Sequence, residues 1–155
     1  MAHLEKDFEE LLRLFAKHKV RFCIIGAFAV GYHAVSRYTK DLDLLVEPTV
    51  ANGTKIIDAL EEFGFGSLKL EPSDFAREGR LIQFGYEPVR VDVATSIEGV
   101  SFNDVWKKRK RGKLGNVPVS FIGLGELIRN KQVVGRAQDR ADLEILKKIR
   151  RRPKP

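Results

Sequence analysis

The segment Asp41-Leu42-Asp43-Leu44-Leu45-Val46 constrains this chain more than any other stretch. Its apolar content reads as a buried strand stopped by Glu47-Pro48, yet Asp is depleted in strands. Side chains at i and i+2 of a strand point to the same face, so Asp41 and Asp43 project together. Two such carboxylates repel each other, and the arrangement is comfortable only with a cation between them. A third acid, Asp92, lies in the middle of Val89-Arg90-Val91-Asp92-Val93-Ala94, with the valines on the opposite face. If the two strands are neighbours, the three carboxylates converge. Oxygen ligands on rigid strands suit Mg²⁺, which keeps waters and binds through carboxylates plus substrate phosphates. Structural alternatives stand beside this reading: an acidic pair at a turn or exposed edge, and an Asp92 that simply pairs with Arg90.

The rest of the chain alternates helical and strand patterns. Leu4, Phe8, Leu11, Leu12 and Phe15 mark one face of an amphipathic helix over residues 4–18. Val20 to Ile25 is a strand ended by Gly26, and Ala27 to Ala34 suits a helix leaving it. Thr49 caps a helix carrying Ile56, Ile57, Leu60 and Phe63, which Gly64 and Gly66 break. Residues 67–79 read as a connection over the active face. Leu81–Phe84 and Val89–Ala94 are strands joined by a turn at Gly85-Tyr86-Glu87-Pro88. Residues 101–109 suit a short helix capped by Ser101 or Asn103, with Trp106 on its apolar side. Val117–Ile122 is a last strand. Leu124–Val134 and Asp139–Ile149 are two helices separated by Gly135, ahead of a basic tail over 149–155. The expected class is therefore α/β (α+β), a mixed sheet with helices packed on it and helices at the C-terminus. At 155 residues the expectation is one domain.

Charge is distributed unevenly. Residues 1–106 hold 12 basic and 17 acidic side chains, net −5, whereas residues 107–155 hold 16 and 4, net +12. The basic end favours anionic partners such as nucleotides, RNA or an acidic protein, although a solvated surface explains it equally well. No apolar run approaches the roughly 20 residues of a membrane span. The acidic, polar start is unlike a secretory signal. The single Cys23 sits in an apolar run and is expected to be a buried, inert thiol. A cytoplasmic globular domain with no membrane contact is the expectation.

Phosphate chemistry is suggested by Gly26, which ends one strand and opens a helix whose first N–H groups face outward. Taken together, Ile24-Ile25-Gly26-Ala27, Asp41-Leu42-Asp43 and Val91-Asp92-Val93 resemble the DNA polymerase β-like nucleotidyltransferase superfamily. Within it, Gly26 to His33, Arg37-Tyr38-Thr39-Lys40, Ile82-Gln83-Phe84-Gly85 and Phe121-Ile122-Gly123-Leu124 look like the small bacterial DUF6036-type proteins. Leu127-Ile128-Arg129-Asn130-Lys131, Gly135-Arg136 and Asp139-Arg140-Ala141-Asp142-Leu143 are similar to the last motif of that group and of the AbiEii-like toxin nucleotidyltransferases. The resemblance spans roughly residues 20–148. One departure is Ala27, where the superfamily has Gly or Ser, so a side-chain hydroxyl for the triphosphate is missing while the backbone N–H remains.

The resemblance implies an enzyme that moves a nucleoside monophosphate from an NTP such as ATP to an acceptor, releasing pyrophosphate. Asp41 and Asp43 would hold two Mg²⁺ ions, with Mn²⁺ as a substitute. Asp92 would complete the metal site and help deprotonate the acceptor hydroxyl. Gly26 and Ala27 would meet the triphosphate. Lys131 and Arg136 have two readings: contacts to triphosphate oxygens, or a basic helix face paired with Asp139 and Asp142. Asp142 would orient Lys131. Arg37 and Thr39 touch phosphate or merely close the loop before the strand. His33 reads as a packed or capping residue rather than a catalytic one. The acceptor stays open between RNA, including a tRNA end, a protein and a small molecule, with the basic end favouring RNA. A toxin–antitoxin role follows by analogy alone, and a partner subunit that completes the site is compatible with the small size. The rival from another class is a non-catalytic nucleotide- or RNA-binding module that kept the fold.

Overall fold

In the amphipathic N-terminal segment, Phe8, Leu11, Leu12 and Phe15 are all buried, and the helix they build is α1 (Lys6–Lys17). The computed structural model describes residues 6–34, 41–66, 68–86 and 89–151. After α1 come β1 (Phe22–Ile25), α2 (Gly26–His33), β2 (Asp41–Val46), α3 (Val50–Phe63) and a 3₁₀ turn (Pro72–Phe75). Then follow β3 (Leu81–Tyr86), β4 (Val89–Ala94), α4 (Phe102–Lys107), β5 (Lys110–Leu114), β6 (Val117–Phe121), α5 (Leu124–Val134) and α6 (Ala137–Arg151). Residues Thr49 and Ser101 cap their helices as expected, accepting from the N–H groups of Asn52 and Asp104. None of the helices among the described residues is long and apolar enough to cross a membrane.

The six strands form one mixed sheet in the order β3-β4-β2-β1-β6-β5. β1 pairs antiparallel with β2 and parallel with β6, while β2 runs parallel to β4. Alternation along the paired strands puts Phe22, Ile24, Leu42, Leu44, Phe84, Val91 and Val93 on one face. The helices α1 and α3 cover that face. Phe15 of α1 meets Phe22 edge-on at 5.4 Å, and Phe65, just beyond α3, packs on Phe84. The opposite face carries Asp41, Asp43, Arg90 and Asp92 at one end and the buried Cys23, Leu45 and Ala94 at the other, so the charged cluster occupies only part of it.

Two expectations are corrected. No element was expected between the helix over 101–109 and the strand at Val117–Ile122, but Lys110–Leu114 is a strand paired with β6 through a two-residue turn at Gly115-Asn116. Its composition, Lys-Arg-Gly-Lys-Leu, hides it: an edge strand exposed to water needs no apolar run. The second concerns residues 67–79, expected over the active face. The 3₁₀ turn within them packs along α3, where a side chain on Gly53 would overlap the Pro72 carbonyl and where Phe75 is fully buried. Two burial-driven contacts thus draw this connection to the apolar face.

A buried polar residue that the apolar pattern does not announce joins these layers. Asn52 in α3 is 1% exposed. Its Oδ1 accepts from the Arg21 N–H at 2.8 Å, and its Nδ2 donates to the carbonyls of Arg21 at 3.0 Å and Glu47 at 3.1 Å. The amide thereby adds to the backbone bonding at the start of β1 and the end of β2, where the Glu47 N–H also donates to the Arg21 carbonyl. Asn52→Ala would leave the Arg21 N–H without its acceptor and take one of two donors from each of the Arg21 and Glu47 carbonyls. Urea unfolding should show a loss of about 2 kcal/mol or more.

Candidate functional site

The parallel register of β2 and β4 sets Asp43 directly beside Asp92, and Asp41 beside Arg90. Asp92 is 9% exposed. On the other flank, Ile25 pairs with Asp43, so Gly26 comes to lie against the Asp43 side chain. A methyl group at Gly26 would overlap Asp43 Oδ2, and the residue has a φ of +68°, so both space and backbone conformation call for glycine. The strand-ending glycine and the acid pair are therefore parts of one wall.

Among the described residues, Arg90 brings a positive charge onto this wall. Its Nε lies 3.2 Å from Asp92 Oδ1 and its Nη2 3.4 Å from Asp92 Oδ2, while the same Nε is 4.0 Å from Asp41 Oδ1. Arg90 and Asp92 are two residues apart on one strand face, which fixes this pair. The hydrogen bonding raises the already high proton affinity of Arg90. The salt bridge to Asp92 that sequence reading kept as the structural alternative is thus present. Asp43 gains less from it. Burial first, then the charges of Asp92 and Asp41, push its carboxyl from an ordinary 3.8 up to about 7, against the opposing pull of Arg90 and Lys131.

The C-terminal helices approach from the other side. Lys131 of α5 is 6% exposed and sits between two buried carboxylates of α6, 3.1 Å from Asp139 and 3.0 Å from Asp142. Arg136, largely exposed, donates through Nε to Asp139 at 2.8 Å. Burial opposes ionisation of Asp139, but the hydrogen bonds from Arg136 and Lys131 outweigh it and hold the carboxyl below its usual range. Lys131 and Arg136 both act electrostatically on Asp43, which places this ion-pair knot beside the acidic wall. The pairing of Lys131 and Arg136 with acids of α6 is what the helices adopt, and Asp142 does hold Lys131.

The remaining candidates fall as follows. Ala27 is half-buried in the first turn of α2 next to Gly26. Arg37 and Thr39 lie outside the described residues. His33 donates from Nε2 to the Ile122 carbonyl at 2.7 Å and is held toward its neutral form by burial, so it packs between α2 and the end of β6. The thiol of Cys23 is buried and pushed up to about 12, inert as expected. Sequence reading named Arg90 as a structural partner of Asp92, and did not foresee that the same guanidinium also lies 4.0 Å from Asp41.

Among the described residues no three His, Cys, Asp or Glu side chains stand ready to enclose a metal ion. The acids nonetheless suit a hard cation in kind. They are oxygen donors on rigid strands, and Asp43 is a half-buried acid whose two acidic neighbours disfavour its charged form. A divalent ion would remove that penalty.

No family model matches the chain, and no curated protein matches it in sequence. Solved structures do match in shape. TM1012 of Thermotoga maritima, itself provisionally assigned as a nucleotidyltransferase, aligns with a TM-score of 0.61 at 14% identity over 94% of this chain and 91% of that one. The lincosamide antibiotic adenylyltransferase LnuA, solved with lincomycin, aligns at 0.54 and 15% identity over 94% and 98%. ANT(2")-Ia, solved with adenylyl-2"-tobramycin, aligns at 0.58 and 12% identity over 92% and 90%. The chain has the nucleotidyltransferase fold.

The Asp43 carboxyl gives this fold a testable pH dependence. The folded chain retains a proton on it up to about pH 7, whereas the unfolded chain releases it near 3.8. Asp43 therefore contributes stability that is full at low pH and is lost as pH rises through neutrality. In EDTA, the melting temperature of Asp43→Asn relative to the parent should climb between pH 5 and pH 8. A constant difference across that range would contradict the assignment.

Proposed function

We propose that this protein is a metal-dependent nucleotidyltransferase that moves a nucleoside monophosphate from an NTP to an acceptor hydroxyl. The observation that carries the reading is the juxtaposition of Asp43 and Asp92 in register on parallel strands, against Gly26 at the mouth of α2. Buried like charges are costly, and an abandoned site has no reason to keep them. Adenylyl transfer, the reaction named for LnuA, supports ATP as the first nucleotide to test.

Asp41, Asp43 and Asp92 would hold Mg²⁺, two ions in the full reading and Mn²⁺ as a substitute. Bound there, the metal would neutralise the triphosphate and make the acceptor hydroxyl easier to deprotonate. The chain's own groups do the rest. The N–H groups at Gly26 and Ala27 would receive phosphate oxygens. Lys131, held by Asp142 and Asp139, would turn a fixed positive charge toward the same anion, with Arg136, Arg37 and Thr39 as further contacts. The acceptor oxygen would form a bond to the α-phosphorus as the bond to pyrophosphate breaks, and Asp92 would take the hydroxyl proton. Both Asp92 oxygens now face Arg90, so that role requires the guanidinium to move off.

The finer subtype proposed is the DUF6036-type or AbiEii-like group, in the cytoplasm, with a toxin–antitoxin role and a partner subunit following from that likeness. For the acceptor, RNA such as a tRNA end fits the net +12 of residues 107–155. A small molecule is the alternative that the antibiotic bound to LnuA favours.

Calorimetric titration with ATP, GTP, CTP and UTP, in Mg²⁺ and in EDTA, tests the reading. Metal-dependent binding should be lost in Asp41→Asn/Asp43→Asn while the protein stays folded. Metal-independent binding that the double variant keeps would instead favour the non-catalytic binding module. A second variant probes the counter-ion. Arg90→Gln should bind Mn²⁺ several-fold more tightly, because the cation no longer competes with a guanidinium, and should melt lower in EDTA.

A further inference from the structure

Away from the carboxylates, at the β5–β6 side of the sheet where Ala16 of α1 and Phe22 of β1 meet it, lies a cavity of about 290 Å³. Its polar walls are Arg109, Arg111 and Ser120, and Trp106 with Phe22 and Val20 supplies apolar surface. Arg111 stands directly across from Ser120 in the β5–β6 register. Neither Arg109 nor Arg111 forms an ion pair among the described residues, unlike Arg90 and Arg136.

Arg109 is fixed in place. Its Cζ lies 3.8 Å from the centre of the Trp106 ring, and its Nη1 donates to the Trp106 carbonyl at 2.7 Å. Phe102 stacks on the same indole at 5.7 Å, so the ring is held. Cation–π contact and a backbone hydrogen bond together remove most of the rotamer freedom of a long side chain. Yet Arg109 Nε is buried with no hydrogen-bond partner. An orphaned guanidinium donor beside a cavity, within residues 107–155 of net +12, calls for an acceptor that the protein does not supply. Edge protection does not explain it. Exposed lysines such as Lys110 and Lys113 serve to keep a sheet edge from pairing, and they have no need of a concave wall or a stacked arginine.

We propose that this cavity is a second anion site, separate from the carboxylate cluster, in which Arg109 and Arg111 grip a phosphate group and the Trp106–Phe22 wall covers the body it is attached to. Guanidinium is the side chain whose forked donors match phosphate oxygens. The phosphate belongs either to a free mononucleotide or to a polynucleotide backbone, two sources of one chemistry.

The chain carries one tryptophan, and it lines the cavity, so its fluorescence reports on this site alone. The experiment titrates AMP, adenosine and a short single-stranded RNA into the protein in EDTA, which keeps divalent metal from the carboxylates. Expected is a saturable emission change with AMP or with the RNA, absent with adenosine. Binding should weaken about tenfold in Arg111→Gln, whose exposed side chain is not needed for folding, in line with loss of a charge-assisted contact. Asp43→Asn should leave it unchanged. Saturation by AMP identifies a mononucleotide site, and saturation by RNA alone assigns the phosphate to a polynucleotide. No saturable change, an equal response to adenosine, or a response lost in Asp43→Asn but kept in Arg111→Gln would overturn the proposal.

Discussion

Two carboxylates held side by side on parallel strands set the terms for everything around them. The register that opposes Asp43 to Asp92 is dictated by the apolar face, where Leu42, Leu44, Val91 and Val93 must all point into the core. A one-residue slip of either strand would turn its valines and leucines to water and its acids into the core. The hydrophobic effect thus enforces an electrostatic arrangement that is unfavourable by itself. Its repulsion is eased by Arg90 on the same strand and, at longer range, by Lys131 and Arg136 from the end of the chain. The apolar side of the sheet stabilises; the polar side stores the tension.

The ion-pair knot of α5 and α6 shows how such cations are kept near the acids without collapsing onto them. Lys131 is buried, and a buried charge without partners is costly. Two acids of α6 bracket it, and its charge acts on Asp43. Removing one member of such a group usually costs far more than the group contributes as a whole, because the others remain buried and unpaired. These two helices therefore belong to the candidate site as much as the strands do.

Much of this was legible in the residues. Strict alternation around Asp92, the acid pair in an apolar strand and the glycine at a strand end each obey a local rule, and the structure joins all three at one wall. The caps at Thr49 and Ser101 were equally plain. What escaped were features without a local signature. The strand Lys110–Leu114 looks like a charge run because an edge exposed on one side can be built from lysine and arginine, with only Gly115-Asn116 to mark its hairpin. Asn52 looks like any helix asparagine until the strands it bridges are in place. The path of residues 67–79 followed from Gly53 and Phe75, whose partners are far away in sequence or hidden by the lack of any periodic pattern.

The sheet order has a consequence for how the protein is made. β1 precedes the other five strands of the sheet in the chain but lies inside it, with β2 on one side and β6 on the other. Until Phe121 has left the ribosome, one edge of Phe22-Cys23-Ile24-Ile25 has no neighbour. During that interval the nascent chain displays an apolar, unpaired strand edge, which is the kind of surface that recruits the wrong partner. Closure by β6 comes just before α5 and α6 bring the balancing cations. The edge is thus sealed and the charges are matched at nearly the same time.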